Sequence, residues 1–189
     1  MDRSTAAILI LVAALAMPGA ALAEGAGEQP AGSRPAAPTA LVPLSNARIP
    51  IAGLLSGGQP TPEQIDLAAR AGFHTVINLR PDEEGGFEWE RGAVERLGMR
   101  YVQIPVAGAS GLTRAVVERF DAELRRGLAD GPVLLHCASG NRNGALLALR
   151  AAWLEGKAPE EALRFGLDSG LTRLEGATRE KLGLAAATP

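Results

Sequence analysis

The chain has 189 residues, 47% of them hydrophobic, with a formal charge of −2 and one cysteine. That balance gives no general pull toward nucleic acid or an anionic membrane surface, and a single cysteine excludes an internal disulfide. The length suits one domain with an adequate core, so no metal or disulfide staple is needed.

Residues 1–23 open with Arg3, continue through an apolar run from Ala6 to Met17 and end on small residues at Ala21 and Ala23. This is the layout of an export signal cut after Ala23; the run is short for a membrane span, which leaves a retained anchor as the alternative. The expectation is a periplasmic or secreted protein that does not engage the membrane once the signal is removed. Residues 24–43 are rich in Ala, Gly and Pro and read as a linker, so the folded domain is expected over 44–189. No internal repeat is visible.

From there apolar runs alternate with helical periods. RIPIAGLLSGGQP holds a first short strand. In TPEQIDLAARAG, Thr61 is placed to cap, Pro62 to take the first helical position and Gln64 to complete a capping box. HTVINL, residues 74–79, is short and β-branched, a buried strand followed by the loop RPDEEGG. FEWERGAVERLG predicts a helix ending at Gly98, and RYVQIPV, residues 100–106, a third strand.

Over 114–129, Val116, Val117, Phe120, Leu124 and Leu128 share one face of an amphipathic helix. GPVLLH is the fourth strand. Ala145 to Leu154 is apolar almost all round and predicts a buried helix. Pro159-Glu160-Glu161 and a capping box from Thr172 to Glu175 signal two more helices. The fold class is therefore α/β: a mostly parallel sheet flanked by helices, with a helical C-terminus.

The chemistry gathers in VLLHCASGNRNG, Val133 to Gly144. Ligands of open parallel sheets bind beyond the carboxyl ends of strands, and Cys137 stands one residue past the strand ending at His136. A lone cysteine is often an inert buried thiol, and half of an intermolecular bridge is another reading. Here the loop Ala138-Ser139-Gly140-Asn141-Arg142 runs into the buried helix, so backbone amides and the positive helix end can converge on one point. Such a field favours the thiolate and an oxyanion above it. Arg142 has the planar fork suited to a tetrahedral anion, Gly140 allows close backbone approach, and Ser139 and Asn143 can donate to the sulfur or to the loop.

HCASGNR resembles the active-site loop of cysteine-dependent phosphatases of the protein tyrosine and dual-specificity superfamily. SGGQPTPEQIDLAARAGFHTVINLRPDEEG and GMRYVQIPV resemble the bacterial beta-lactamase-hydrolase-like phosphatase-domain family, and the likeness runs from about Ile49 to Trp153. The resemblance implies a dual-specificity-phosphatase-like fold, Cys137 as nucleophile, Arg142 as phosphate clamp and His136 as support for the loop. It also implies a phosphorylated or other oxyanion substrate and no metal or other cofactor.

Three features depart from the pattern. Cys137 and Arg142 are separated by one residue fewer than in the common phosphatase loop; Asn143 stands where Ser or Thr is usual; and AGASGLT, 107–113, lacks the acid that normally protonates the leaving oxygen. A loop shortened in this way is also what rhodanese-type sulfurtransferases have, so sulfur transfer through a persulfide and a catalytically weak oxyanion-binding module stand as alternatives. Substitute acids are available in Asp82, Glu83 and Glu84, with Asp82 and Glu83 preferred, against the plain reading of a solvated acidic turn. His74, at the opening of a strand, is expected to be structural.

Overall fold

The computed structural model describes residues 42–185. The expected export signal and all but the end of the expected linker lie outside the described residues. Val42, 2% exposed, already packs with Leu44, Leu55 and Ile65, two residues ahead of the expected domain start.

Four parallel strands form one sheet: β1 Leu54–Gly57, β2 Thr75–Asn78, β3 Arg100–Gln103 and β4 Val133–His136, in the order β1-β4-β2-β3. Six helices among the described residues connect or follow them: α1 Pro62–Arg70, α2 Glu90–Arg96, α3 Arg114–Asp130, α4 Asn141–Trp153, α5 Pro159–Asp168 and α6 Glu175–Lys181. The β3 strand is shorter than expected: Ile104 still donates to the Asn78 carbonyl, but the Arg80 amide, next in the ladder, turns to Asn78 Oδ1, and Val106 donates to Leu79 beyond the break.

The register sorts the strand side chains into two cores. Leu55, Leu134, Val76 and Tyr101 stand in one row and pack with Ile65, Ala68 and Val94 of α1 and α2. Leu135, Ile77 and Val102, one step along, face the other way onto Phe120 and Leu124 of α3 and Leu146 and Leu149 of α4. Both faces are covered, which is why the strands read as near-continuous apolar runs.

The α1 start agrees in detail with the sequence: Thr61 Oγ1 accepts from the Gln64 amide and Gln64 Oε1 from the Thr61 amide. Two other starts differ. The buried helix α4 begins at Asn141, so Asn141 and Arg142 are its first turn and not loop residues. At α6 the N-cap is Leu174, without a side-chain cap. The expected capping box does not form because Thr172 instead donates both its amide and its hydroxyl to Asn141 Oδ1, at 2.9 and 3.2 Å.

Close approach of backbones fixes α4 against α5. A Cβ on Gly144 would lie 2.3 Å from the Leu171 amide nitrogen and 2.6 Å from the Gly166 carbonyl oxygen. The helix that carries the candidate site is thereby seated on the C-terminal helices.

Candidate active site

All four strands end at the same edge of the sheet, and β4 passes there directly into the cysteine loop. Cys137 is 1% exposed, and its sulfur accepts the Gly140 amide at 3.1 Å. Gly140 adopts φ 90°, a left-handed conformation that a residue with a Cβ adopts only under strain, and serves as N-cap of α4. Among the described residues the amides of Ala138, Ser139, Asn141 and Arg142 have no hydrogen-bond partner. They border the positive end of a 13-residue helix.

The loop is held from behind by three sets of contacts. The Ala138 and Ser139 carbonyls accept from the Gln59 amide and from Asn46 Nδ2. Asn143, fully buried, donates through Nδ2 to Ser56 Oγ, the Gly57 carbonyl and the Leu135 carbonyl at 2.9, 3.0 and 3.3 Å. Asn141 Oδ1 accepts from Thr172 and from the Leu174 amide. The side chain of Asn143, read as a donor to the sulfur or to the loop, is therefore turned to the scaffold, as is that of Asn141, and what Asn141 offers a ligand is its backbone amide.

Arg142 is 11% exposed. Its terminal nitrogens engage Glu84: Nη1 lies 2.6 Å from Oε1 and Nη2 donates to Oε2 at 3.0 Å, while Nη1 also reaches the Leu79 and Val106 carbonyls at 3.4 and 3.3 Å. Burial works against the charge of Arg142, but Glu84 and Cys137 outweigh it and raise the guanidinium further above neutrality. The hydrogen bond from Arg142 holds the Glu84 carboxyl below its usual range; partial burial opposes this and Arg80 assists it.

Of the three acidic residues after β2, Glu84 is thus the one bound to the arginine. It lies in a short 3-10 turn, Asp82–Glu84. Asp82 accepts from Gln103 Nε2 at 2.7 Å, and Glu83 makes no hydrogen bond or ion pair among the described residues. His74 donates its amide to the Pro132 carbonyl at the opposite end of the sheet.

On the opposite sheet face from Cys137 lies a buried polar cluster. His136, fully buried, brings Nε2 to 2.9 Å from Glu90 Oε1, with the N–H off the line of approach, so neither ring nitrogen has an aligned partner. Glu90, also fully buried, accepts from Gln59 Nε2, Asn78 Nδ2 and the Tyr101 hydroxyl at 3.2, 3.1 and 3.3 Å. Burial pushes the Tyr101 phenol up to about 12, with Asn78 opposing and Glu90 adding, so the hydroxyl stays a donor. Sequence reasoning overlooked Glu90, although a glutamate on the inward face of α2 beside Val94 was a signal that could have found it.

Residues 50–153, more than half of the chain, match the model of the beta-lactamase hydrolase-like protein, phosphatase-like domain. The chain belongs to this family. A beta-lactamase hydrolase-like protein of Xylella fastidiosa is 38% identical over 100 residues, covering 51% of this chain and 22% of the relative. One of Agrobacterium fabrum is 34% identical over 149 residues, covering 76% of this chain and 32% of the relative. The chain thus spans about a fifth to a third of the length of these relatives. Among solved structures, a putative phosphatase of Neisseria meningitidis is similar with a TM-score of 0.58 and 25% identity, covering 69% of this chain and 94% of that one. The fold is that of cysteine-dependent phosphatase-like domains, a parallel sheet flanked by helices, as the sequence implied.

Proposed function

We propose that this chain is a phosphomonoesterase of the tyrosine and dual-specificity type, working through a phosphocysteine at Cys137. The observation that carries the reading is the cradle: unpartnered amides of Ala138, Ser139, Asn141 and Arg142 at the start of α4, beside Cys137 Sγ and the Arg142 guanidinium. These donors suit the equatorial oxygens of a phosphoryl group in transfer, where charge develops and preorganised donors stabilise it.

In the first step the Cys137 thiolate attacks phosphorus; the S–P bond forms, the P–O ester bond breaks, and the leaving oxygen departs with the bonding pair. In the second, water attacks the phosphocysteine, the S–P bond breaks, and inorganic phosphate and the thiolate are released. The loop 107–113 carries no acidic side chain, and Glu84 is an ionised partner of Arg142. The substrates that fit best are aryl phosphates, phosphotyrosine among them, whose oxygen leaves readily as an anion. Asp82 and Glu83 remain the candidate acids for poorer leaving groups.

Aryl phosphate turnover by the chain and by its Cys137→Ser variant tests the reading. Thiosulfate with cyanide runs beside it, because the short span from Cys137 to Arg142 favours sulfur transfer as a second reading. Activity confined to thiosulfate would replace the first with the second. Export directed by residues 1–23 belongs to the same proposal, and N-terminal sequencing of the protein recovered from the periplasm or medium tests it.

A further inference from the structure

Glu90 draws together the active edge of the sheet. Its four partners come from all four strand regions: Gln59 just beyond β1, Asn78 at the end of β2, Tyr101 in β3 and His136 at the end of β4. A carboxylate wholly removed from water is weak evidence of stabilisation, since replacing buried ionic groups by apolar residues of similar volume is often neutral or stabilising. The cluster also reaches the site by two routes. Gln59 Oε1 accepts from Arg80 Nη1 at 2.7 Å, and Asn78 Oδ1 accepts the Arg80 amide at 2.8 Å. Arg80 Nε then donates to Glu84 Oε2 at 2.9 Å, and Glu84 holds Arg142.

We propose that Glu90 is a positioning residue for the reacting loop. Its carboxylate stands against the His136 ring at the root of the loop and, through its hydrogen bonds with Gln59 and Asn78, fixes Arg80, which seats Glu84 against Arg142. The inference rests on the reading of Cys137 and Arg142 as the reacting pair. Besides His136, the titratable or charged groups near Glu90 are Tyr101, and beyond them Arg80, through Gln59, and Arg91, 4.7 Å over the Tyr101 ring. Gln at position 90 keeps the shape of the side chain and removes the charge.

The test compares the full chain with Glu90→Gln in two measurements that need no substrate. The first is the ring ¹⁵N–¹H spectrum, which the chain's two histidines make simple to assign. His136 signals should move while those of His74, at the other end of the sheet, stay. The second is the rate of Cys137 alkylation by iodoacetamide at neutral pH, expected to fall about tenfold as the amide cradle and the Arg142 fork lose their setting around the sulfur. Loosening of the fold alone would accelerate alkylation, because Cys137 is buried. Unmoved His136 signals, or an alkylation rate within twofold of the parent or above it, would overturn the proposal. If Glu90→Gln is unfolded at the assay temperature, Gln59→Met at the half-buried rim of the cluster carries the test, with alkylation slowed at least threefold expected and an unchanged rate decisive against it. Failure of the parent chain to hydrolyse aryl phosphates would count against the proposed function and leave both measurements intact.

Discussion

The pair of Glu84 with Arg142 offers a perturbation whose size and pH dependence both follow from geometry. Glu84→Gln keeps the shape and removes the charge. The Arg142 guanidinium and the carboxylate meet twice, at 2.6 and 3.0 Å, and Arg80 Nε donates to the same carboxylate at 2.9 Å, so the variant removes both pairs, the Arg142 one being the larger. Fully buried, charge-assisted hydrogen bonds are worth about 1.5 to 3 kcal/mol each. Glu84 is 33% exposed, however, so water competes, and the pair belongs nearer the scale of exposed ion pairs, up to about 1 kcal/mol. We take about 1 kcal/mol because the contact is bidentate and Arg142 is largely buried, which for a domain of this size lowers the melting temperature by about 2 to 4 °C.

The sign of the pH dependence is fixed by the lowered pKa of Glu84, held down first by the Arg142 hydrogen bond. A depressed carboxyl contributes stability that is fully present above its unfolded value of 4.5 and is lost as pH falls through its folded value. Thermal unfolding of parent and variant, followed by circular dichroism at pH 7 and again near the foot of the acid range, should show the gap at pH 7 and its closure in acid. Salt should narrow it as well. A gap of equal size at both pH values, or none at pH 7, would refute the assignment of this pair.

Arg142→Lys keeps the charge and loses the fork, so the inorganic phosphate needed to protect Cys137 from iodoacetamide should rise about 10-fold or more, from the loss of about 1.5 to 3 kcal/mol; unchanged protection would remove Arg142 as the clamp. Asp82→Asn should slow alkyl phosphates more than aryl phosphates, since a positioned acid is worth about 10²- to 10⁴-fold, while equal effects on both would exclude Asp82 as proton donor. Asn141→Ala removes the acceptor shared by Thr172 and Leu174 and should destabilise by about 1 to 3 kcal/mol in denaturant unfolding, since it leaves donors unpaired. Gly144→Ala forces a Cβ into the Leu171 amide and should cost about 3 kcal/mol by the same measurement; a neutral result would mean that α5 is not seated on α4 as described.

The sequence by itself determined what depends on near neighbours in the chain. Strand and helix periods gave the order of elements, Thr61, Pro62 and Gln64 fixed the start of α1, and the run from Val133 to Gly144 marked the cysteine loop, because periodicity, caps and loop-to-helix transitions are read within a few residues. Tertiary structure decided what depends on residues far apart. Thr172 had the local chemistry of a cap, but Asn141, 31 positions away, offered a better acceptor, and α6 starts without it. Asp82, Glu83 and Glu84 are equivalent as a string of acids; only the packing of the 3-10 turn against α4 selects Glu84 for Arg142, 58 positions on. Glu90 joins the strand ends only once the register sets Asn78 beside His136 and folds α2 over them. A buried ionic contact is worth its desolvation only when all its partners arrive together, and that condition is set by the sheet and not by any stretch of sequence.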